Sequence, residues 1–236
     1  MFVVMILSST FNLNAQNNTS KTDSYQQEIK KTVVISGENE PEIIRLLHSG
    51  NKIVAVAKDK IFQYDGKKWA TEKLDFLCNT ATTDSKGNVW LGGQGFVYNL
   101  STKKRFELPA EANGDSLLCL FFENEKTLQA GTNKGLWTWN GSWIKVPETT
   151  GIRINQIAKG EGEELWLATS DGIFQRKNNQ WLNLNEYVMD AGLLRNFFSI
   201  ASGWNPGDAI FGSTYAISKI AADGDHWNFT GEDGLP

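Results

Sequence analysis

Short apolar runs recur along the chain at a nearly constant interval. Each run ends on a small residue, and these residues are Val56, Gly92, Gly131, Ala168 and Gly212, separated by 36, 39, 37 and 44 positions. Large aromatic residues close the same units at Trp69, Phe106, Trp143, Trp181 and Trp227, separated by 37, 37, 38 and 46 positions. Two independent sets of positions keep one period, and five units of about 40 residues lie in the length range of propeller blades.

The fourth unit shows how each repeat divides into strands. Its apolar run LWLA (165–168) is nearly continuous, as expected for a strand that is covered on both faces. The polar turn TSDG (169–172) follows, and Gly172 can take the positive φ that a tight hairpin needs. A return strand (173–176) and an outer strand beginning at Trp181 complete the unit after a first strand that precedes the run. The sequence therefore predicts four short antiparallel strands per unit.

One segment fits two interpretations. In EIIRLLHSG (42–50) the apolar residues have helical spacing, and Gly50 stands where a helix C-cap would be. In isolation a helix and a strand fit this segment equally well. The phase of the repeat makes it the first strand of the first unit, and this is our prediction. Lys60 and Ala216 replace the turn glycine of their units, so those hairpins use other turns.

Composition narrows the class of protein. The chain has 236 residues and a net charge of −4, with its charges scattered and no basic patch, which argues against nucleic-acid binding. Nine tryptophans are many for this length, and most occupy fixed repeat positions. We predict that Trp90, Trp137, Trp166 and Trp181 pack between blades, whereas Trp204 lies off these positions in a Gly/Pro-rich turn and is expected to be exposed.

The chain offers little catalytic or metal-binding chemistry. Cys78 and Cys119 lie one repeat apart, each on the predicted first strand of its unit, so a disulfide and two buried thiols are both open. No Cys/His spacing typical of a zinc site occurs. The two histidines, His48 and His226, fall in different units, and no nucleophile or metalloprotease motif is present. We predict no catalytic residues, no metal and no cofactor.

The N-terminus resembles an export signal. Residues 2–11 are apolar, too short to span a bilayer, and followed by NLNAQNN, which fits a signal peptide over residues 1–16. No Lys or Arg precedes the apolar core, so either the true start lies upstream or the signal is atypical. Residues 17–31 are a polar spacer. We assign residues 32–236 to the propeller repeats and expect an exported, periplasmic protein.

The centre of the repeat resembles that of a known family. The segments NVWLGG (88–93), TLQAGTNKGL (127–136) and ELWLATSDGI (164–173), with EDGLP (232–236) and DAGLL (190–194), are similar to the two-component regulator propeller repeat. The resemblance covers roughly residues 40–236. It implies an all-β fold whose rings usually have seven blades, of which about five four-stranded blades are present here.

The resemblance also implies a function. Propellers of this family form the periplasmic sensing region of membrane-bound hybrid histidine kinases and are often tied to polysaccharide recognition. This chain would be the N-terminal part of such a receptor, acting as a homodimer with an oligosaccharide or other small-molecule ligand, and attached to the membrane only through downstream segments. The alternatives are a ring of five blades in which residues 32–36 supply a strand to the last blade, and a stand-alone exported propeller that binds or scaffolds, such as a secretion-system component.

A ligand surface is expected where loops gather at one end of a propeller. The loops concerned are 132–135, 147–155, 169–172 and 185–196. Arg153 and Arg195 both precede an innermost strand, and arginine can hold a carboxylate or sulfate in a bidentate fork. Tyr187 and Trp204 could stack on a sugar ring. The alternative for each arginine is a solvated loop charge.

Overall fold

The chain divides into two compact units, Met1–Glu42 and Ile43–Pro236. The computed structural model describes residues 41–112, 114–160, 164–184, 196–203, 205 and 207–231, and the backbone of two strands in the first unit. Those strands are β1 (Val3–Met5) and β2 (Thr32–Val34), which pair antiparallel with one another. The predicted signal peptide and spacer lie almost wholly outside the described residues and stay predictions.

The second unit consists of five antiparallel sheets of four strands, each in sequence order. Blade 1 comprises β3 (Ile43–Ser49), β4 (Lys52–Ala57), β5 (Lys60–Tyr64) and β6 (Trp69–Lys73). Blade 2 comprises β7 (Thr80–Thr83), β8 (Val89–Gly92), β9 (Phe96–Asn99) and β10 (Lys104–Glu107). Blade 3 comprises β11 (Leu117–Phe122), β12 (Leu128–Thr132), β13 (Gly135–Trp139) and β14 (Trp143–Lys145).

The last two blades follow the same order. Blade 4 comprises β15 (Ile154–Lys159), β16 (Leu165–Thr169), β17 (Gly172–Lys177) and β18 (Gln180–Asn183). Blade 5 comprises β19 (Phe197–Ser202), β20 (Ala209–Ser213), β21 (Ala216–Ile220) and β22 (His226–Thr230). Two short 3-10 turns lie between blades, at Ala110–Ala112 and Pro147–Thr149. Among the described residues no helix has the length and apolar character needed to cross a membrane.

The repeat phase predicted the strands correctly. Residues 43–49 form a strand paired with β4 and not a helix, and Gly50 makes the turn between them at φ 59°. Gly172 takes φ 93° in the hairpin between β16 and β17, as predicted. One placement was wrong, because Cys78 lies two residues before β7 and not on it. Both Cys78 and Cys119 are free and buried, so the disulfide alternative is wrong as well.

Successive blades pack through their first strands and through the faces beside them. The first strands β3, β7, β11, β15 and β19 lie side by side in chain order. Four clusters of buried apolar residues occupy the four boundaries between neighbouring blades. Trp137 and Trp166 are fully buried in these clusters, and Trp90 and Trp181 pack against them half-buried. The four tryptophans therefore hold blades together, as their repeat positions predicted.

Asp84 fixes the hairpin between β7 and β8 of blade 2, and we expect its loss to destabilise the protein. One carboxylate oxygen accepts the backbone N–H groups of Lys86 and Asn88 at 2.9 Å, and the other accepts the indole N–H of Trp90 at 3.0 Å. Hydrogen bonds to a charged group contribute more than neutral ones, so Asp84→Ala should lower the free energy of unfolding by about 2 kcal/mol in urea titrations. Asp65→Ala is the control, because Asp65 accepts two backbone N–H groups in an exposed turn, and its loss should destabilise the protein clearly less than Asp84→Ala. Equal losses would contradict the role of the Trp90 bond.

Candidate ligand-binding surface

The predicted loops meet at one end of the propeller, which we call the upper face. Here the first strand of each blade begins, and here lie the hairpins that join second and third strands. Backbone hydrogen bonds connect these segments. The Gly151 N–H donates to the Lys134 carbonyl at 2.9 Å, and the Ser170 N–H donates to the Arg153 carbonyl at 2.9 Å. The loops 132–135, 147–155 and 169–172 therefore form one surface, as their repeat positions predicted.

A β-bulge opens the first strand of most blades at this face. The register shifts by one residue between Ile43 and Arg45, Leu117 and Cys119, Ile154 and Gln156, and Phe197 and Ser199. A bulge leaves one residue unpaired and turns its side chain away from the regular alternation of the strand. The extra residue in blade 4 is Asn155 and that in blade 5 is Phe198. Both are thereby placed at the upper face.

Arg153 is the predicted site residue that the structure describes. Its side chain is exposed, and its Nε donates a hydrogen bond to Asn155 Oδ1 at 2.9 Å. Asn155 in turn donates from Nδ2 to the Phe197 carbonyl at 2.7 Å and to Asn196 Oδ1 at 3.3 Å. The chain of bonds orients the guanidinium across the boundary between blades 4 and 5. Its Nη groups, which have no partner among the described residues, are the pair that could fork an anion.

The other three predicted site residues cannot be placed. Arg195, Tyr187 and Trp204 lie outside the described residues. Their proposed contacts with an anion or a sugar ring, and the predicted exposure of Trp204, stay predictions.

Two exposed aromatic residues lie at the upper face that were not among the predicted site residues. Phe198 is 50% exposed at the bulge of blade 5, and Tyr215 is 71% exposed in the hairpin between β20 and β21. Exposed rings of this size offer apolar area with little loss of side-chain freedom on binding. Phe198 aligns with Asn155, and Tyr215 lies in the hairpin of blade 5 that corresponds to the hairpin with Asp171 in blade 4.

An ion pair adds fixed charge to the same face. The ammonium of Lys134 lies 2.8 Å from Asp115 Oδ1; the Lys134 side chain is exposed and the Asp115 side chain is buried. Lys134 belongs to the hairpin of blade 3, and Asp115 to the segment that leads into β11. The upper face thus presents cations, amides and aromatic rings along blades 3, 4 and 5. Such a set of groups can hydrogen-bond, pair with anions and stack.

The buried thiols add no nucleophile. Burial raises the pKa of Cys78 to about 11 and that of Cys119 to about 12, so both are protonated at neutral pH. In the part of the chain that the structure describes, no three His, Cys, Asp or Glu side chains are grouped to hold a metal ion.

The architecture defines the protein as a β-propeller built from four-stranded blades. Solved structures with this fold include two of the extracellular domain of BT4673 from B. thetaiotaomicron, described as a putative one-component system and as a putative hybrid two-component system. The first has a TM-score of 0.64 at 14% identity over 81% of this chain, and the second a TM-score of 0.59 at 9% identity over 85%. The structure of YCF48 bound to D1 peptide has a TM-score of 0.61 at 16% identity over 86% of this chain and 72% of that one.

These likenesses establish the fold. The chain spans only 28% and 36% of the two BT4673 chains. No protein-family model matches the sequence, and no curated protein matches it.

Proposed function

We propose that this propeller is the N-terminal part of the extracytoplasmic sensing region of a two-component receptor of the hybrid histidine kinase type, and that it binds a polysaccharide-derived ligand. The observation that carries the proposal is the upper face at blades 4 and 5. There an oriented guanidinium, Arg153, lies at the same end of the propeller as two exposed rings, Phe198 and Tyr215. A sugar offers hydroxyls to the amides and an apolar ring face to the aromatics, and an acidic sugar adds a carboxylate for the guanidinium.

The repeat and the structural likenesses support this assignment. The repeat resembles that of periplasmic sensor propellers, and the solved structures of similar fold include extracellular domains of a putative two-component system. In such a receptor the ligand would stabilise one arrangement of the propellers in a homodimer. It can shift that equilibrium only by the difference between its affinities for the two arrangements. Membrane attachment and the kinase would reside in segments beyond this chain.

Oligosaccharide titrations test the binding surface. We expect binding of uronic-acid-containing oligosaccharides on a glycan array, quantified by calorimetry. Arg153→Ala should weaken it by about ten-fold or more, equivalent to the loss of one charge-assisted contact. Tyr215→Ala should weaken the binding of acidic and neutral oligosaccharides alike, because stacking of a sugar on an aromatic ring does not depend on charge.

The matched control is a cation at the opposite end of the propeller. Lys126 lies exposed in the hairpin between β11 and β12, and Lys126→Ala should leave the affinity unchanged. If Arg153→Ala and Tyr215→Ala both bind the oligosaccharide with unchanged affinity, the upper face is not the binding site. No binding of any glycan would favour the alternative of a propeller that binds a protein segment, as YCF48 binds a D1 peptide.

A further inference from the structure

A cavity of about 290 Å³ lies between blades 4 and 5, toward the end of the propeller opposite to the upper face. Trp166 on β16 and Ile220 on β21 form its inner wall, and both are buried. Lys177, at the end of β17, and the hairpin 221–225 between β21 and β22 form its rim. None of the residues that line it belongs to the loops of the upper face. The cavity is therefore distinct from the surface around Arg153.

The boundary between blades 2 and 3 shows how this space is filled elsewhere in the chain. Trp90 there occupies the repeat position of Trp166. The rings of Phe106 and Phe122 lie against Trp90, with centroids at 5.3 Å and 5.2 Å from its own. Trp139 lies 5.5 Å from Phe106 on the far side. Four aromatic rings thus pack together at that boundary.

Smaller side chains stand at three of these four positions around Trp166. Leu184 takes the position of Phe106, since each lies opposite the first apolar residue of the third strand. Ile220 takes the position of Trp139, and Ser202 takes that of Phe122, because each pairs with the first residue of the second strand.

These pairings are explicit in the sheets of blades 3 and 5. Phe122 and Trp139 both pair with Leu128, and Ser202 and Ile220 both pair with Ala209. A leucine, an isoleucine and a serine fill less volume than two phenylalanines and a tryptophan. The cavity beside Trp166 therefore lies where aromatic rings pack in blades 2 and 3.

Two polar side chains of blade 4 border the cavity without a partner. Gln175 pairs with Trp166, so their side chains lie on the same side of the sheet, and Lys177 ends the same strand. Neither side chain forms a hydrogen bond or ion pair with another residue that the structure describes. The residues that correspond to Gln175 in blades 2 and 3, Asn99 and Thr138, are hydrogen-bonded within their own blades. Blade 4 thus leaves an amide and an ammonium available at the cavity.

The charge at the rim favours an anion. Asp223 also lines the cavity, but its carboxylate accepts the Asp225 N–H at 3.1 Å and so completes its own turn. His226 adds an imidazole to the same rim. Among the described lining residues, the charge without a partner is the ammonium of Lys177, and an ammonium forms its strongest hydrogen bonds with anionic oxygen.

We propose that this cavity binds a small aromatic carboxylate. The ring lies against Trp166, in the place that aromatic side chains take beside Trp90, and the carboxylate pairs with Lys177 and Gln175. A cavity of about 150 Å³ is enough for benzene, so 290 Å³ leaves room for a ring with a short charged chain. The proposal does not rest on the binding of a sugar at the upper face, and the two sites can be occupied independently.

Calorimetric titration of the intact chain with benzoate, phenylacetate and 3-phenylpropionate tests the proposal. The amide and the amine of each chain length are the matched probes of charge. We expect at least one carboxylate to bind with a dissociation constant of about 1 mM or lower, which ligands of about ten non-hydrogen atoms can reach. Lys177→Gln should weaken carboxylate binding by about five-fold and leave amide binding unchanged, because only the carboxylate gains from the ammonium. Lys126→Gln is the control and should change neither.

Filling the cavity tests where the ring lies. Leu184→Phe introduces the residue that blade 2 has at this position and should weaken carboxylates and amides alike by at least about ten-fold. Ile220→Phe is a second filling variant, and urea titrations show whether each variant retains the fold.

Three results would overturn the proposal. The first is no binding of any of the three carboxylates, and the second is tighter binding of the amines than of the carboxylates. The third is carboxylate affinity that Lys177→Gln or both folded filling variants leave unchanged. Oligosaccharide binding that Arg153→Ala weakens and Leu184→Phe does not would show that the upper face acts separately from this cavity.

Discussion

Replacing Glu123 by alanine is expected to lower the free energy of unfolding by about 3 kcal/mol, because it leaves a buried arginine without its counter-charge. Glu123 directly follows β11, the first strand of blade 3, and Arg176 lies on β17, the third strand of blade 4. Arg176 donates from Nη1 to Glu123 Oε2 at 3.1 Å and from Nη2 to Oε1. Their side chains are only 13% and 16% exposed. The bidentate pair therefore crosses a blade boundary out of bulk water.

A small network supports the carboxylate. Gln129 donates from Nε2 to Glu123 Oε2 at 3.1 Å and accepts from Thr138 at 2.7 Å through its own Oε1. Both carboxylate oxygens of Glu123 accept hydrogen bonds, and removal of the carboxylate takes the acceptor from three donor nitrogens at once, two of Arg176 and one of Gln129. Under these conditions, removal of one member of an ion pair lowers the free energy of unfolding by more than the intact pair contributes to it.

Urea unfolding of three variants measures this effect. Glu72→Ala is the matched control, because Glu72 pairs with Lys103 across blades 1 and 2 while their side chains are 39% and 53% exposed. Its loss should cost less than about 1 kcal/mol. The double variant Glu123→Met with Arg176→Met should recover most of the loss, since no charge is left buried. A loss in Glu123→Ala no larger than that in Glu72→Ala would show that the pair is solvated.

The same pair predicts a dependence on pH. Burial would raise the pKa of Glu123, but the hydrogen bonds from Arg176 and Gln129 outweigh it and hold the pKa below its ordinary value of 4.5. A carboxyl whose folded-state pKa is lowered stabilises the protein above the unfolded-state value, and this contribution is lost as the pH falls through the folded-state pKa. The difference in unfolding free energy between wild type and Glu123→Ala should therefore be full at pH 7 and shrink progressively below pH 4.5.

The fold could be predicted because the signal is repeated. Residues 42–50 carry helical spacing, and a single copy of the segment would leave helix and strand equally supported. The phase of five units decided for the strand, and β3 is that strand. The repeat pattern placed Cys78 on the first strand of blade 2, but a contact with blade 1 holds the residue ahead of that strand. Its backbone N–H bonds to the Lys58 carbonyl of blade 1 at 2.6 Å, so the residue is held by the preceding blade before β7 begins.

The contacts between blades could not be predicted from the pattern within one blade. Glu123 and Arg176 are 53 positions apart, and nothing local to either marks the other as its partner. Phe198 and Tyr215 look like ordinary apolar strand and loop residues, and their exposure depends on the bulge and on what lies beside blade 5. Arg153 was found from its loop position alone, whereas its orientation by Asn155 required the structure.

The second large effect is expected at Ile173. Ile173→Ala removes buried methyl groups from the cluster between blades 4 and 5 and should lower the free energy of unfolding by about 3 kcal/mol, the transfer loss plus the cavity that remains. Ile217→Ala makes the same chemical change at the same repeat position, but on a side chain that is already 41% exposed, and should cost less than about 1 kcal/mol. Urea titrations of both variants in the same chain measure the contrast.

The contrast is informative because residue type and position within the third strand are matched. A small loss at Ile173 would mean that blades 4 and 5 do not pack as the structure shows. A loss at Ile217 as large as that at Ile173 would mean that the Ile217 side chain is covered in solution and not 41% exposed. Ile173 is buried in the cluster between blades 4 and 5, whereas Ile217 is 41% exposed, so the difference in cost between the two variants measures what packing against blade 5 contributes at Ile173.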